Sequence, residues 1–168
     1  MKQTLARRLG DMGADVTLEP ANKEGNRRAD LLVSGNFMDG TFALDLTVCA
    51  VSGVLSPNSG AGNTNKDNAP DAHSMAKARA QIHELLKRRV DKKLRENADQ
   101  DYGGHFLPWV CTTGGTLHRS SAKFLDALKK RFPSAVNQTK YELSCSLAKS
   151  RARCYMQSFL ANPRNSSR

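Results

Sequence analysis

Two short stretches constrain the fold more than any others in this chain. They are Arg27-Arg28-Ala29-Asp30-Leu31-Leu32-Val33 and Thr41-Phe42-Ala43-Leu44-Asp45-Leu46-Thr47-Val48. Their content of Leu, Val, Phe and Thr predicts two β-strands, separated by the turn-like Ser34-Gly35-Asn36 and Asp39-Gly40. Each strand embeds one aspartate, Asp30 and Asp45, among apolar residues. A buried charge without a partner is costly. Two such carboxylates on neighbouring strands could share that cost by binding one hard cation, which takes oxygen ligands. Alternatively, each sits at a strand end and makes an ordinary hydrogen bond. Both possibilities stay open at this level.

The chain has 168 residues, enough for one hydrophobic core, and we expect a single domain over residues 1–161 with a flexible tail over 162–168. No apolar run approaches the roughly 18–20 residues of a membrane-spanning helix. The amphipathic start, Met1 to Leu9, reads as a first helix rather than a secretory signal. Net charge is +10, which in a domain of this size points to a polyanionic partner, nucleic acid above all. Cys49, Cys111, Cys145 and Cys154 form no CxxC pair, and the four histidines show no zinc spacing. Reduced thiols in an intracellular, reducing compartment are the expectation, nuclear in a eukaryote. Aromatic residues make up only 6%, so a stacking platform for single strands is not suggested.

Residues 2–12 suit a short helix with Leu5, Leu9 and Met12 on one face and a stop at Gly13. Asp15 to Glu19 alternates like a strand and halts at Pro20, which leaves Glu19 as a third acid at a strand end. Residues 52–70 are a long polar loop, read as a flap over the strand ends or as a plain surface insertion. Asp71 or Ser74 could cap a long helix to about Asn97.

At 100° per residue, Met75, Ala78, Leu85, Leu86 and Val90 cluster around Ile82, while Lys77, Arg88, Lys92 and Arg95 fall outside. Arg89 and Lys93 fall within about 20° of Ile82, on the inward arc. Cations there must snorkel or meet an anion, and the strand aspartates are natural partners. Fraying of the helix near Arg89 would instead release both to water.

His105 to Thr113 reads as a further strand after Gly103-Gly104. Ser120 or Ser121 then caps a helix with a Phe124, Leu125, Leu128 and Phe132 stripe, closed by Pro133. A last helix, about Lys140–Ala161, is expected to bury Tyr141, Leu147, Tyr155 and Phe159 and to carry Lys149, Arg151 and Arg153 as a basic patch. This order predicts an α/β architecture with a small mixed sheet flanked by helices.

The succession α-β-β-β-α-β, with C-terminal helices and acids at Glu19, Asp30 and Asp45, resembles the restriction-endonuclease-like or PD-(D/E)XK fold. The ordered set Glu19-Pro20, Arg28-Ala29-Asp30, Leu44-Asp45-Leu46-Thr47-Val48, a Lys-rich helix, Phe106-Leu107-Pro108 and Thr113-Gly114-Gly115 is similar to the endonuclease domain of non-LTR retrotransposons and its stand-alone relatives. The likeness implies that Asp30 and Asp45 are catalytic acids holding Mg²⁺ or Mn²⁺, with the backbone carbonyl of Leu46 as a further ligand. It implies an auxiliary role for Glu19 and makes Arg28 the basic residue before the first acid. Thr47 stands where the usual lysine would follow the second acid, and Lys93 on the long helix best matches its displaced counterpart, with Lys92 and Arg89 as alternatives. Ala29 replaces the family's usual proline, and Leu94 its aromatic after the lysine.

On this resemblance the expected activity is metal-dependent hydrolysis of phosphodiester bonds in DNA, with RNA left open. Nicking or double-strand cutting would both fit. Lys77, Arg88, Arg89, Lys92, Arg95 and Arg151 would grip the phosphate backbone, giving affinity and salt dependence rather than sequence recognition. A reverse transcriptase of the same element is an implied partner, and a dimer is compatible. The alternative is a nucleic-acid-binding module that keeps the fold without cleavage.

Overall fold

The computed structural model describes residues 1–26, 28–51 and 72–161, with 72–74 and 158–161 described in backbone only. The elements run α1 (Lys2–Asp11), β1 (Asp15–Leu18), β2 (Leu31–Ser34), β3 (Phe42–Cys49), α2 (Ala72–Glu96), β4 (His105–Thr112), α3 (Arg119–Lys129) and α4 (Pro133–Ala161). The four strands form one sheet in chain order. The first three are antiparallel neighbours, and β4 lies parallel to β3 along its whole length, from Phe42 opposite His105 to Cys49 opposite Thr112. A parallel pair needs a long crossover, which α2 supplies.

Side chains alternate across the sheet and so feed two separate helical layers. On one face Leu31, Val33, Leu44 and Trp109 meet Leu5 and Leu9 of α1, Phe124 and Leu125 of α3, and Val136 and Leu143 of α4. The opposite face of β3 and β4 offers Cys49 and Val110 to Leu86 and Val90 of α2. Asp45 shares the parity of Cys49 and therefore faces α2.

Several expectations need correction. The first aspartate stretch is not a strand throughout: β2 begins at Leu31, Asp30 precedes it, and Arg28 makes only an isolated bridge to Ala21. The α3 cap is His118, whose ring nitrogen accepts from the Ser120 amide, rather than Ser120 or Ser121. Ser121 is instead buried and accepts from the Val110 amide at 3.1 Å. Pro133 opens α4 instead of merely closing α3, since proline at the first helical position forfeits no intrahelical bond. Tyr141 and Tyr155, expected inside, are 70% and 72% exposed, because the buried stripe of α4 runs through Val136, Thr139, Leu143 and Leu147. Ser74, the alternative cap for the long helix, lies inside α2, which starts at Ala72. The loop over 52–70, the candidate α2 cap Asp71, the tail over 162–168 and the Phe159 side chain lie outside the described residues.

The α2–β4 connection sits tightly on the start of β3. His105 donates its amide to the Thr41 carbonyl at 2.8 Å. A methyl group added at Gly104 would stand 2.7 Å from that same carbonyl oxygen. Gly104→Ala is therefore expected to lower stability by about 1–3 kcal/mol, read as a shifted urea midpoint. An unchanged midpoint would show that the connection can move away freely.

Candidate functional site

Glu19 follows the last residue of β1 and Asp30 precedes the first residue of β2, at the paired ends of those strands, while Asp45 lies midway along β3, one residue beyond the Leu44 that pairs with Leu31, so the three acids expected to converge do not form one cluster among the described residues. Glu19 follows β1 directly and adopts a positive φ of 50°, a conformation that non-glycine residues rarely hold. Its amide donates to the Asp30 carbonyl at 2.9 Å, so the strained turn is locked to the start of β2. The intervening loop is tied down by Asn22, which donates to Asn26 Oδ1 and to Gln100 Oε1.

Asp30 reaches across to β3. Its Oδ2 accepts the Leu46 amide at 2.7 Å, immediately beside Asp45. Asp45 meets the long helix, and its Oδ2 lies 2.8 Å from Lys93 Nζ, with the two side chains 17% and 30% exposed. The inward orientation expected for Lys93 is thus observed. Burial pushes the Asp45 carboxyl above its ordinary range; the bond and charge of Lys93 oppose this without cancelling it, and the neighbouring charge of Asp30 adds to the rise. A secondary set of contacts seats the lysine: Tyr102 donates its hydroxyl to Asn97 Oδ1 at 2.7 Å, and Asn97 Nδ2 donates to the Lys93 carbonyl at 2.9 Å.

Lys2 is the group that sequence reasoning missed. Its ammonium lies 2.5 Å from Glu19 Oε1 and 3.4 Å from Asp30 Oδ1. Those bonds raise the pKa of Lys2 and hold that of Glu19 below the usual carboxylate range. Nothing near Lys2 in the chain signals this, since the contact exists only because α1 packs on the far face of the sheet. Each acid is therefore matched by an ammonium, Lys2 on Glu19 and Asp30, and Lys93 on Asp45.

The remaining basic candidates are distributed more widely. Arg28 stands 3.9 Å from Glu19 at the margin of the site. Arg89 reaches the Cys49 thiol, where its charge opposes the rise that burial causes. Lys77, Arg88, Lys92 and Arg95 are all exposed, as expected from their arc. Arg88 and Lys92, however, are each paired within the helix, to Glu84 at 3.0 Å and Glu96 at 3.6 Å. Arg151 lies far along the chain on α4 and is also exposed. Cys49 and Cys111 are buried free thiols, with Cys111 pushed up to about 11 by desolvation, whereas Cys154 is exposed.

Asp30 and Asp45 lie near enough for the charge of one to act on the other. Among the described residues no group of three or more His, Cys, Asp or Glu converges as a ready metal cage. An ion here would take the rest of its ligands from backbone, water or substrate oxygens. The Leu46 amide is already engaged by Asp30, and its carbonyl remains a proposed ligand. Among the described residues, one cavity of about 780 Å³ between α1 and α4 is lined in part by Lys2, and one of about 910 Å³ lies between α4 and the ends of β3 and β4.

Fold and site together define an α/β protein with a four-stranded mixed sheet, flanked by helices, that carries lysine-paired acids. No protein-family model matches the chain, and neither a curated protein nor a solved structure is significantly similar to it. Among the described residues no helix is long and apolar enough to cross a membrane.

Proposed function

We propose that the chain is a metal-dependent DNA endonuclease of the restriction-endonuclease-like type. The observation that carries this is the meeting of Lys93 of α2 and Asp45 of β3 at 2.8 Å, beside the Asp30 carboxylate, which reaches in from the residue before β2. Burial leaves Asp45 under-compensated by its lysine, which suits a carboxylate that awaits a further cation. Asp30 and Asp45 would hold Mg²⁺ or Mn²⁺. Bound there, the ion would polarise a phosphoryl oxygen and supply a water of lowered pKa. Lys93 would orient that water or stabilise negative charge developing on the phosphate. Glu19 would act at one remove, and Arg28 would contact the adjacent phosphate.

A specific observation favours a second reading, a nucleic-acid-binding module without cleavage. Lys2 and Lys93 already pair with all three acids, an arrangement that also serves simple charge balance. Supercoiled plasmid incubated with Mg²⁺ or Mn²⁺ separates the two. Nicking that needs both the ion and Asp45 supports the nuclease. Salt-sensitive binding without nicking, unchanged in Asp45→Ala, supports the module. Absence of salt-sensitive binding removes both.

On the nuclease reading Lys2 competes with the ion for Asp30. Lys2→Gln is expected to tighten Mn²⁺ binding, measured by titration calorimetry. Weaker or unaltered binding would show that Lys2 does not stand in the ion's place.

A further inference from the structure

The last part of α4 has no structural reason to continue as it does. Its buried stripe ends at Leu147, yet the helix runs on, and every residue from Ala148 to Gln157 is exposed. A helix that buries no face gains little from tertiary packing. Charge is segregated in the same segment. The sequence contains no acid after Glu142, while Lys149, Arg151 and Arg153 follow it. No carboxylate among the described residues pairs with any of the three.

Their placement around the helix is informative. At 100° per residue, Lys149 and Arg153 share one flank, and Arg151 lies about 160° from either. Lys149 and Arg153 line the cavity shared with α1, and Arg151 lines the one beside β3 and β4. The direction opposite Leu143 and Leu147 is occupied by Ala148 and Ala152, with the exposed Tyr155 and Met156 beside them one turn further on. This exposed crest has a cationic flank on each side.

We propose that residues 148–157 of α4 enter the major groove of a B-form DNA duplex. A single strand offers one phosphate row, which one cationic flank would satisfy. Two flanks match the two phosphate rows that border a groove; Ala148 and Ala152 let the backbone approach the base edges, and Tyr155 and Met156 beside them would rest against those edges. The B-form major groove, about 12 Å wide, admits an α-helix. The major groove of A-form RNA is deep and too narrow for side chains to read, so a duplex of RNA does not fit the same crest. This assignment rests on nucleic-acid binding as proposed above but not on cleavage.

The test is fluorescence anisotropy of the full chain with a DNA duplex, an RNA duplex and a DNA single strand of one sequence, over a series of salt concentrations. The DNA duplex is expected to bind tightest. Replacing Lys149, Arg151 and Arg153 together by Gln should lower the slope of log affinity against log salt by about 2–3 for the duplex. Ala152→Trp, which leaves charge unchanged, should weaken duplex binding while sparing the single strand. Equal or tighter binding of the RNA duplex or single strand overturns the proposal, as does an unaltered slope in the triple variant. Nicking with duplex binding unchanged in the triple variant would remove the role given to residues 148–157 and keep the nuclease; duplex binding that depends on those residues, without nicking, would do the reverse.

Discussion

On the nuclease reading proposed above, Asp45→Asn is expected to abolish metal-dependent nicking while leaving the folded protein at least as stable at neutral pH as the parent chain. Loss of one ion-holding carboxylate from a centre of this kind should cost at least about a hundredfold in rate. The stability expectation follows from the direction of the Asp45 shift. Burial raises its folded pKa above the ordinary 3.8, against the opposing pull of Lys93. Between the two values the folded state holds a proton that the unfolded chain has released. Stability contributed by this residue therefore falls as pH rises through that window. Asparagine keeps the size and polarity of the side chain and does not ionise, so the penalty disappears. Lys93 loses its anion, but at 30% exposure it can turn to water. Urea midpoints at several pH values, with plasmid nicking measured alongside, check both halves. A variant that retains nicking overturns the role given to Asp45. A variant markedly less stable at neutral pH would show instead that the Lys93 contact outweighs desolvation.

Trp109→Ala is expected to be the most damaging single change to the fold. Trp109 is fully buried in the middle of β4 and packs edge-on against Phe124, with ring centroids 6.0 Å apart. It joins the sheet to the layer of α1, α3 and α4. Truncating a buried tryptophan costs about 3–5 kcal/mol, a large share of the roughly 5–15 kcal/mol available to a domain. Among the described residues its indole N–H has no hydrogen-bond partner. Trp109→Phe should therefore be much milder, because it removes an unsatisfied donor along with the lost area. Chemical denaturation of both variants tests this pair of outcomes. A cost below about 1 kcal/mol for the alanine variant would show that the core relaxes around the gap.

Much of the architecture was legible before any coordinates. Alternation around Leu44 and the Gly-rich breaks at 35, 40 and 103–104 marked the strands, because a half-buried sheet leaves a period of two in the sequence. The inward position of Lys93 followed from its angular distance to Ile82, because a helix held against a sheet keeps its phase over several turns. Phase is reliable only where something packs. On α4 the buried stripe stops at Leu147, so Tyr155 beyond it, taken as core, proved exposed. The start of β2 was set one residue too early or more, because apolar content alone does not reveal where ladder pairing begins. Asp30 sits just outside the ladder and spends its carboxylate on the neighbouring strand's amide.

The chain by itself determined which segments are strand and helix, that Asp30 and Asp45 are anomalous in apolar surroundings, and that Lys93 faces inward. These are local properties, written in spacing and burial preference. Only the tertiary structure decided which ammonium serves which acid. Lys2 is distant from Glu19 and Asp30 in sequence and reaches them because α1 closes over the sheet from the opposite side to α2. Such a contact depends on how two layers dock, and no periodicity within either segment encodes it.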